Sequence, residues 1–405
     1  MKLSKIIKQL FVLVVLVAWV GCAALNLMQQ LPSLTSAYGR NWVLEEKVDA
    51  LVEAANGSVM SQSVLQNANG AISRLLERQT INGFSIAQGE DGQLAYTNFY
   101  PYETYDYEEP ALRMKQLAQA AEAQGATFFY LNCLDVYQEE GSAFGELPIN
   151  NLNPRADAFL RALQGYGVDY VDARELLREN PLAAEDYVYK TEPHWRTETC
   201  FEAYLGLVEE LKRRGSGIDP NGFYTSSQGF TRTEYPQQYL GKLGKITGAT
   251  FAGYDDFTLI APAFQTDLTL SYEEYDLHST RQGDFGTTLL DSRWLGNDDI
   301  YDNDMYCVYL TEVYPYRKIT NNLNPDGPKV LIVGDSFMLP VAAFMAVAAG
   351  ELHLLSPYSL PSDVASLPEY LQANGFDHVI VGLNAGTLYD SGFNFLNGIE
   401  LPELP

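Results

Sequence analysis

Basic residues are scarce in this 405-residue sequence: 26 Lys and Arg stand against 52 Asp and Glu, a formal charge of −26. Three of those cations, Lys2, Lys5 and Lys8, precede an apolar run that holds no acidic residue, so the rest of the chain is more acidic still. Such a surface repels nucleic acid and anionic lipid and favours neutral partners. Cysteine is equally sparse. Cys22 lies in the N-terminal apolar run, and Cys133, Cys200 and Cys307 form neither a metal knuckle nor a CxxC pair. Three cysteines outside that run allow at most one disulfide, and buried free thiols are the preferred state. No GxGxxG, P-loop or HExxH pattern occurs, which speaks against nucleotide and zinc chemistry. Neither a metal nor a cofactor is expected.

What is present is enough apolar material, 46% of residues, to bury one large core or two modest ones. The Lys-bearing start is followed by the unbroken apolar stretch from Leu10 to Leu25, long for a signal-peptide core and short for a full span. Gly21-Cys22-Ala23 offers a small-residue cleavage site or a poor lipobox, with Trp19 where a lipobox wants an aliphatic residue. The preferred reading is an uncleaved anchor, positive end inside and body outside the cell membrane.

The remainder divides by pattern. Residues 1–28 read as the anchor and 29–80 as a helical stalk. Residues 81–215 form the first part of an α/β domain, with a hairpin at Glu90-Asp91-Gly92, a buried strand at 127–131 and another at 168–171. Residues 216–327, rich in Tyr, Thr, Gly and Asp, read as an irregular β-rich insertion. The α/β pattern resumes over 328–405, with strands at 330–333 and 378–381. Helices alternating with buried strands imply a parallel sheet covered on both faces, hence an α/β three-layer domain.

Three short segments carry chemistry. Gly334-Asp335-Ser336-Phe337 follows an aliphatic strand and precedes a helix, so Ser336 falls at the carboxyl edge of the sheet, its N–H near a helix N-terminus. A serine hydroxyl needs a base to become a nucleophile, and only four histidines exist. His194 lies in Tyr189-Lys190-Thr191-Glu192-Pro193-His194-Trp195, ahead of a helix expected to be capped by Thr197. Pro193 biases Glu192 toward extended backbone, so Glu192 and His194 project to the same side, and the carboxylate can hold the imidazole tautomer. His278, His353 and His378 read as surface or packing residues. The third segment, Gly382-Leu383-Asn384, also ends a strand, where an Asn amide can donate to an oxyanion.

Together these elements resemble the SGNH hydrolase superfamily, whose blocks include a GDS nucleophile and a GxN oxyanion donor. Because the Glu-x-His segment precedes the GDS block, the order resembles the DHHW proteins and the alginate O-acetyltransferase branch. The likeness extends to Asp304-Met305-Tyr306 and Ile319-Thr320-Asn321. It implies Ser336 as nucleophile, His194 as base, Glu192 as orienting acid, and Asn384, Gly382 and Asp335 as oxyanion or substrate-binding residues. This chain has Glu where the family normally has Asp, Pro as the intervening residue, and Ala385 after the Asn. The implied activity is O-acetyl transfer to, or removal from, a cell-surface polysaccharide, with an acyl donor and a polysaccharide-synthesis complex as partners. The alternative is a glycan-binding or assembly protein that keeps the fold without turnover.

Overall fold

The computed structural model describes residues 17, 20, 21, 24, 28, 62–99, 105–135, 143–150, 152–178, 182, 186–274, 277–296 and 299–401. The chain forms two compact units, 1–69 and 70–405. Of the first, residues 62–69 are helical. The expected anchor and the stalk up to residue 61 otherwise lie outside the described residues. Among the described residues, no helix is long and apolar enough to cross a membrane.

After residues 70–75, which are helical, the second unit continues with β1 (Thr80–Ile81), β2 (Ile86–Gln88) and β3 (Leu94–Tyr96), a small antiparallel sheet. The expected hairpin joins β2 to β3, pairing Ala87 with Ala95. Gly92 supplies the left-handed turn residue at φ 87°, where a Cβ would be strained. There follow α1 (Glu108–Glu122), β4 (Thr127–Cys133), α2 (Asn153–Gly165), β5 (Tyr170–Asp172) and α3 (Thr197–Arg213). Next come β6 (Phe230–Tyr239), α4 (Lys242–Thr247), β7 (Asp255–Pro262), β8 (Leu268–Glu274), β9 (Leu277–Gly283) and β10 (Tyr316–Asn321). The last elements are β11 (Lys329–Gly334), α5 (Met338–Ala348), β12 (Glu351–Leu355), α6 (Leu367–Asn374) and β13 (His378–Asn384).

The main sheet runs β5-β4-β13-β11-β12-β10-β8-β9. Its first five strands are parallel, and β10, β8 and β9 add to one side antiparallel. The fold is therefore mixed α/β, with a sheet that is mixed where the patterning implied all-parallel. Residues 216–327 are not set apart from it, since three of the eight strands come from them. Period-two alternation sorts side chains between two cores: Phe129, Leu131, Val330 and Ile332 face α3 and α5, whereas Phe128, Tyr130, Leu331 and Val333 face α1, α2 and α6. Helix α5 is buried all round, as a helix apolar on every side must be. Each of its large side chains contributes roughly 1.5–3 kcal/mol of burial.

Connectivity sets the site. From β11 the chain crosses through α5 on one face to β12, then returns through α6 on the other face to β13, on the far side of β11. This reversal leaves a crevice at the carboxyl ends of β11 and β13, the place where open α/β sheets bind ligands.

Candidate active site

Ser336 leaves β11 and Asn384 ends β13, and the pairing of Gly334 with Gly382 puts the two residues at one level of the sheet edge. Both glycines face Met338, the first residue of α5. A Cβ on Gly382 would meet Met338 Sδ at 2.5 Å, and one on Gly334 would meet Met338 Cβ at 2.6 Å. Gly382 is thus a packing residue that lets the helix start close over the strands, two positions short of the oxyanion group the sequence assigned it to.

Asp335, almost fully buried, ties the two strand ends together. Its carboxylate accepts from the Phe337 N–H at 3.0 Å, the Asn384 N–H at 2.7 Å and the Thr387 hydroxyl at 2.7 Å. Burial pushes this carboxyl up from its ordinary range, while the three donors and the nearby His194 pull it back. The Asn384 side-chain oxygen accepts from the Gly386 N–H at 2.7 Å, which fixes which end of the amide points where. Its buried Nδ2 has no hydrogen-bond partner among the described residues.

His194 reaches this edge from a different part of the chain. Its Nε2 lies 2.7 Å from Ser336 Oγ and its Nδ1 2.7 Å from Glu192 Oε1. A carboxylate only accepts, so Nδ1–H donates to Glu192, which leaves the Nε2 lone pair facing the Ser336 O–H. The ring stacks on Tyr306 at 4.2 Å between centroids and leans on Phe337 at 4.7 Å. Tyr306 donates its hydroxyl to the Ser336 carbonyl at 3.2 Å, and the Trp195 N–H donates to the Phe337 carbonyl at 2.9 Å. The base and the serine loop are therefore clamped on both sides.

The base loop is itself held by groups the sequence offered no signal for. Asp255 of β7 accepts from the Lys190 N–H, the Thr191 N–H and the Thr191 hydroxyl at 2.6–2.8 Å. Burial raises its carboxyl from the ordinary value, and these bonds oppose the rise. Gly241 presses against Glu192, its hypothetical Cβ only 2.3 Å from that of Glu192, and the Lys242 N–H donates to Glu192 Oε2 at 2.5 Å. From the small sheet, Leu94 N–H donates to the Lys190 carbonyl and Gln93 to that of Tyr189. Asp304, half-buried near Glu192, accepts from the Tyr239 hydroxyl at 3.2 Å, and desolvation and the Glu192 charge raise its carboxyl.

One expectation needs restating. Thr197 is the first helical residue of α3, not its cap: its hydroxyl pairs with the Tyr189 hydroxyl at 3.0 Å, drawn off by a buried partner. His353 is a packing residue as expected, held between Glu351 and Tyr370, with burial lowering its pKa to about 4. His378 sits 2.6 Å from Ser216 Oγ, a second serine-histidine contact, but burial lowers its pKa and no carboxylate is hydrogen-bonded to its ring among the described residues. It opens β13, at the amino edge, opposite the crevice. His278 is exposed on β9, and Cys133, Cys200 and Cys307 are free thiols.

No family model matches the sequence, and no curated protein matches it. Solved structures do. PatB1 of Bacillus cereus with a sulfonyl adduct superposes with a TM-score of 0.60 at 19% identity, over 76% of this chain and 97% of that one. The chain has the PatB1 fold. A second PatB1 structure gives 0.58 at 18% identity, over 76% and 99%. A DHHW family protein from Eubacterium siraeum gives 0.52 at 13% identity, over 78% and 98%. The fold shared with PatB1 and the DHHW protein spans nearly the whole of each of them and about three quarters of this chain.

Proposed function

We propose that this chain is an SGNH-type serine acyltransferase or esterase that moves an acyl group, acetyl in the simplest case, to or from a hydroxyl of a cell-surface polysaccharide through an acyl-Ser336 intermediate. The observation that carries the reading is the unbroken line Glu192–His194–Ser336, two contacts of 2.7 Å, beside Asn384 Nδ2, which has no hydrogen-bond partner among the described residues. In the first half-reaction Ser336 Oγ attacks the acyl carbonyl and its proton passes to His194 Nε2. The oxyanion that forms faces Asn384 Nδ2 and the Ser336 N–H. On collapse the bond to the donor oxygen breaks, and that oxygen leaves with the proton from His194. An acceptor hydroxyl, or water, then repeats the sequence in reverse on the acyl-serine. Glu192 stays ionised throughout and stabilises the imidazolium.

A sulfonyl fluoride is the chosen probe, since one PatB1 structure carries a sulfonyl adduct. Intact-mass measurement should find one adduct, mapping to Ser336 and missing from Ser336→Ala. Glu192→Gln should label at least about tenfold more slowly with folding unchanged, because the tautomer-holding charge is lost. Failure of the unmodified chain to label would favour a non-catalytic glycan-binding protein. Equal rates for Glu192→Gln would mean that Glu192 does not orient the ring.

We also propose that segment 1–28 tethers the body to the outer face of the cell membrane, on the strength of its Lys-flanked apolar run. Full-length protein should pellet with membranes after a salt wash, and a chain starting near Gln29 should not. A truncated chain that still pellets would remove the anchor.

A further inference from the structure

A second cavity, of about 280 Å³, opens beside the antiparallel side of the main sheet. Its lining is unlike the rest of the molecule. In a chain with twice as many acidic as basic residues, Arg281, Arg293 and Arg317 converge here and no carboxylate lines the space among the described residues. Asp291, which grips Arg293 through two bonds of 2.9 and 3.1 Å at Nε, stands outside the lining.

The arginines are ordered by aromatic rings. Arg281 lies over Tyr272 at 5.5 Å, Tyr272 stacks on Tyr314 at 5.6 Å with 20° between planes, and Arg317 lies over Tyr314 at 4.3 Å. The result is a run of four neighbouring planar groups, cation, ring, ring, cation, that gathers two guanidinia beside the cavity. Arg317 is only 1% exposed, and its Nη2 donates to the Leu310 and Glu312 carbonyls. Between those carbonyls, Leu310 and Thr311 both take left-handed backbone, φ 56° and 64°, which side-chain-bearing residues avoid. Both line the cavity. A buried cation, aromatic spacers and two strained backbone positions are costly, and nothing in the proposed Ser336 chemistry needs them.

We propose that this cavity binds a small oxyanion, a phosphate or carboxylate group, free or carried on a sugar. Guanidinium forks match such groups in two-point contacts that an ammonium cannot make. The volume lies at the small end of ligand sites, which suits one monosaccharide-sized ligand. The acidic surface repels anions in general, so a local cluster of cations is what admits one selectively. Arg317 of β10 stands level with Leu354 of β12, and Leu354 with Ile332 of β11. Two strand spacings, roughly 10 Å, separate β10 from the strand that delivers Ser336. The site does not depend on what Ser336 does.

The test is calorimetric titration of the folded chain with inorganic phosphate, glucuronate, glucose 1-phosphate and glucose, each against chloride at matched ionic strength. Phosphate should bind, and glucose should not. The tighter of glucuronate and glucose 1-phosphate identifies the preferred anion, and equal affinity means a general oxyanion site. Arg281→Gln, at an exposed side chain, should weaken binding by about tenfold while leaving the urea midpoint unchanged, and Arg293→Gln should weaken it as much with a lower midpoint, because the buried Asp291 loses its partner. Absence of binding by all three anions, binding of glucose as tight as theirs, or undiminished affinity in the double variant would overturn the proposal.

Discussion

Ser336→Ala is expected to lower turnover of a soluble acetyl ester by about 10⁴- to 10⁶-fold, the scale on which loss of the nucleophile or base of a serine triad is felt. Ser336 is half-buried at the loop tip and its hydroxyl pairs with His194, so its removal deletes chemistry and little packing. His194→Ala should fall as far, and the double variant little further, because each residue is useless without the other. Steady-state kinetics with a urea-unfolding control measures this. Single losses that multiply in the double variant would show that the two residues act separately. Turnover retained in Ser336→Ala would remove the acyl-enzyme altogether.

Asn384 should matter next. Its Nδ2 is a buried donor without a partner among the described residues, and such a group costs free energy in the resting protein unless something later accepts from it. Deleting one oxyanion donor typically costs about 10²- to 10³-fold in kcat, so Asn384→Ala should fall in the range of roughly tenfold to a thousandfold. Alanine also removes the oxygen that accepts from the Gly386 N–H, so Asn384→Asp is the sharper variant: it keeps that acceptor and replaces the donor by a negative charge. It should lose at least as much kcat as the alanine variant, with the Gly386 turn retained. Binding of a neutral glycan should survive in both, since the donor acts on charge that develops only in the transition state. Loss of glycan affinity with kcat preserved would make Asn384 a substrate contact.

How far the fold is legible depends on how local each signal is. The strands β4, β11 and β13 are buried on both faces and write themselves as short apolar runs, with Ser336 just after β11 and Asn384 at the end of β13. The strand β8 alternates polar with apolar residues, and β9 and β10 are largely polar, patterns equally suited to a separate small sheet or to the edge of a larger one. Only the pairing of Tyr316 with Leu355 and its neighbours decides for the second. Helix α3 illustrates a different loss: Thr197 has a cap's chemistry, but Tyr189, eight residues earlier, takes its hydroxyl.

For the site, the sequence alone determined which side chains are chemically competent. A serine between a strand and a helix, a histidine two residues from a carboxylate, and an asparagine at a strand end are all defined within seven residues. Only the tertiary structure decided that they meet, since His194 and Ser336 are 142 residues apart. It also decided what holds them, because Asp255, Gly241 and Lys242 lie in a stretch whose composition announces only loops and edge strands. The arginine stack belongs to the same class, built from β8, β9 and β10 and the chain before β10. Local periodicity reports which face of an element is buried, but a contact between distant segments depends on strand order, and strand order leaves no periodic trace.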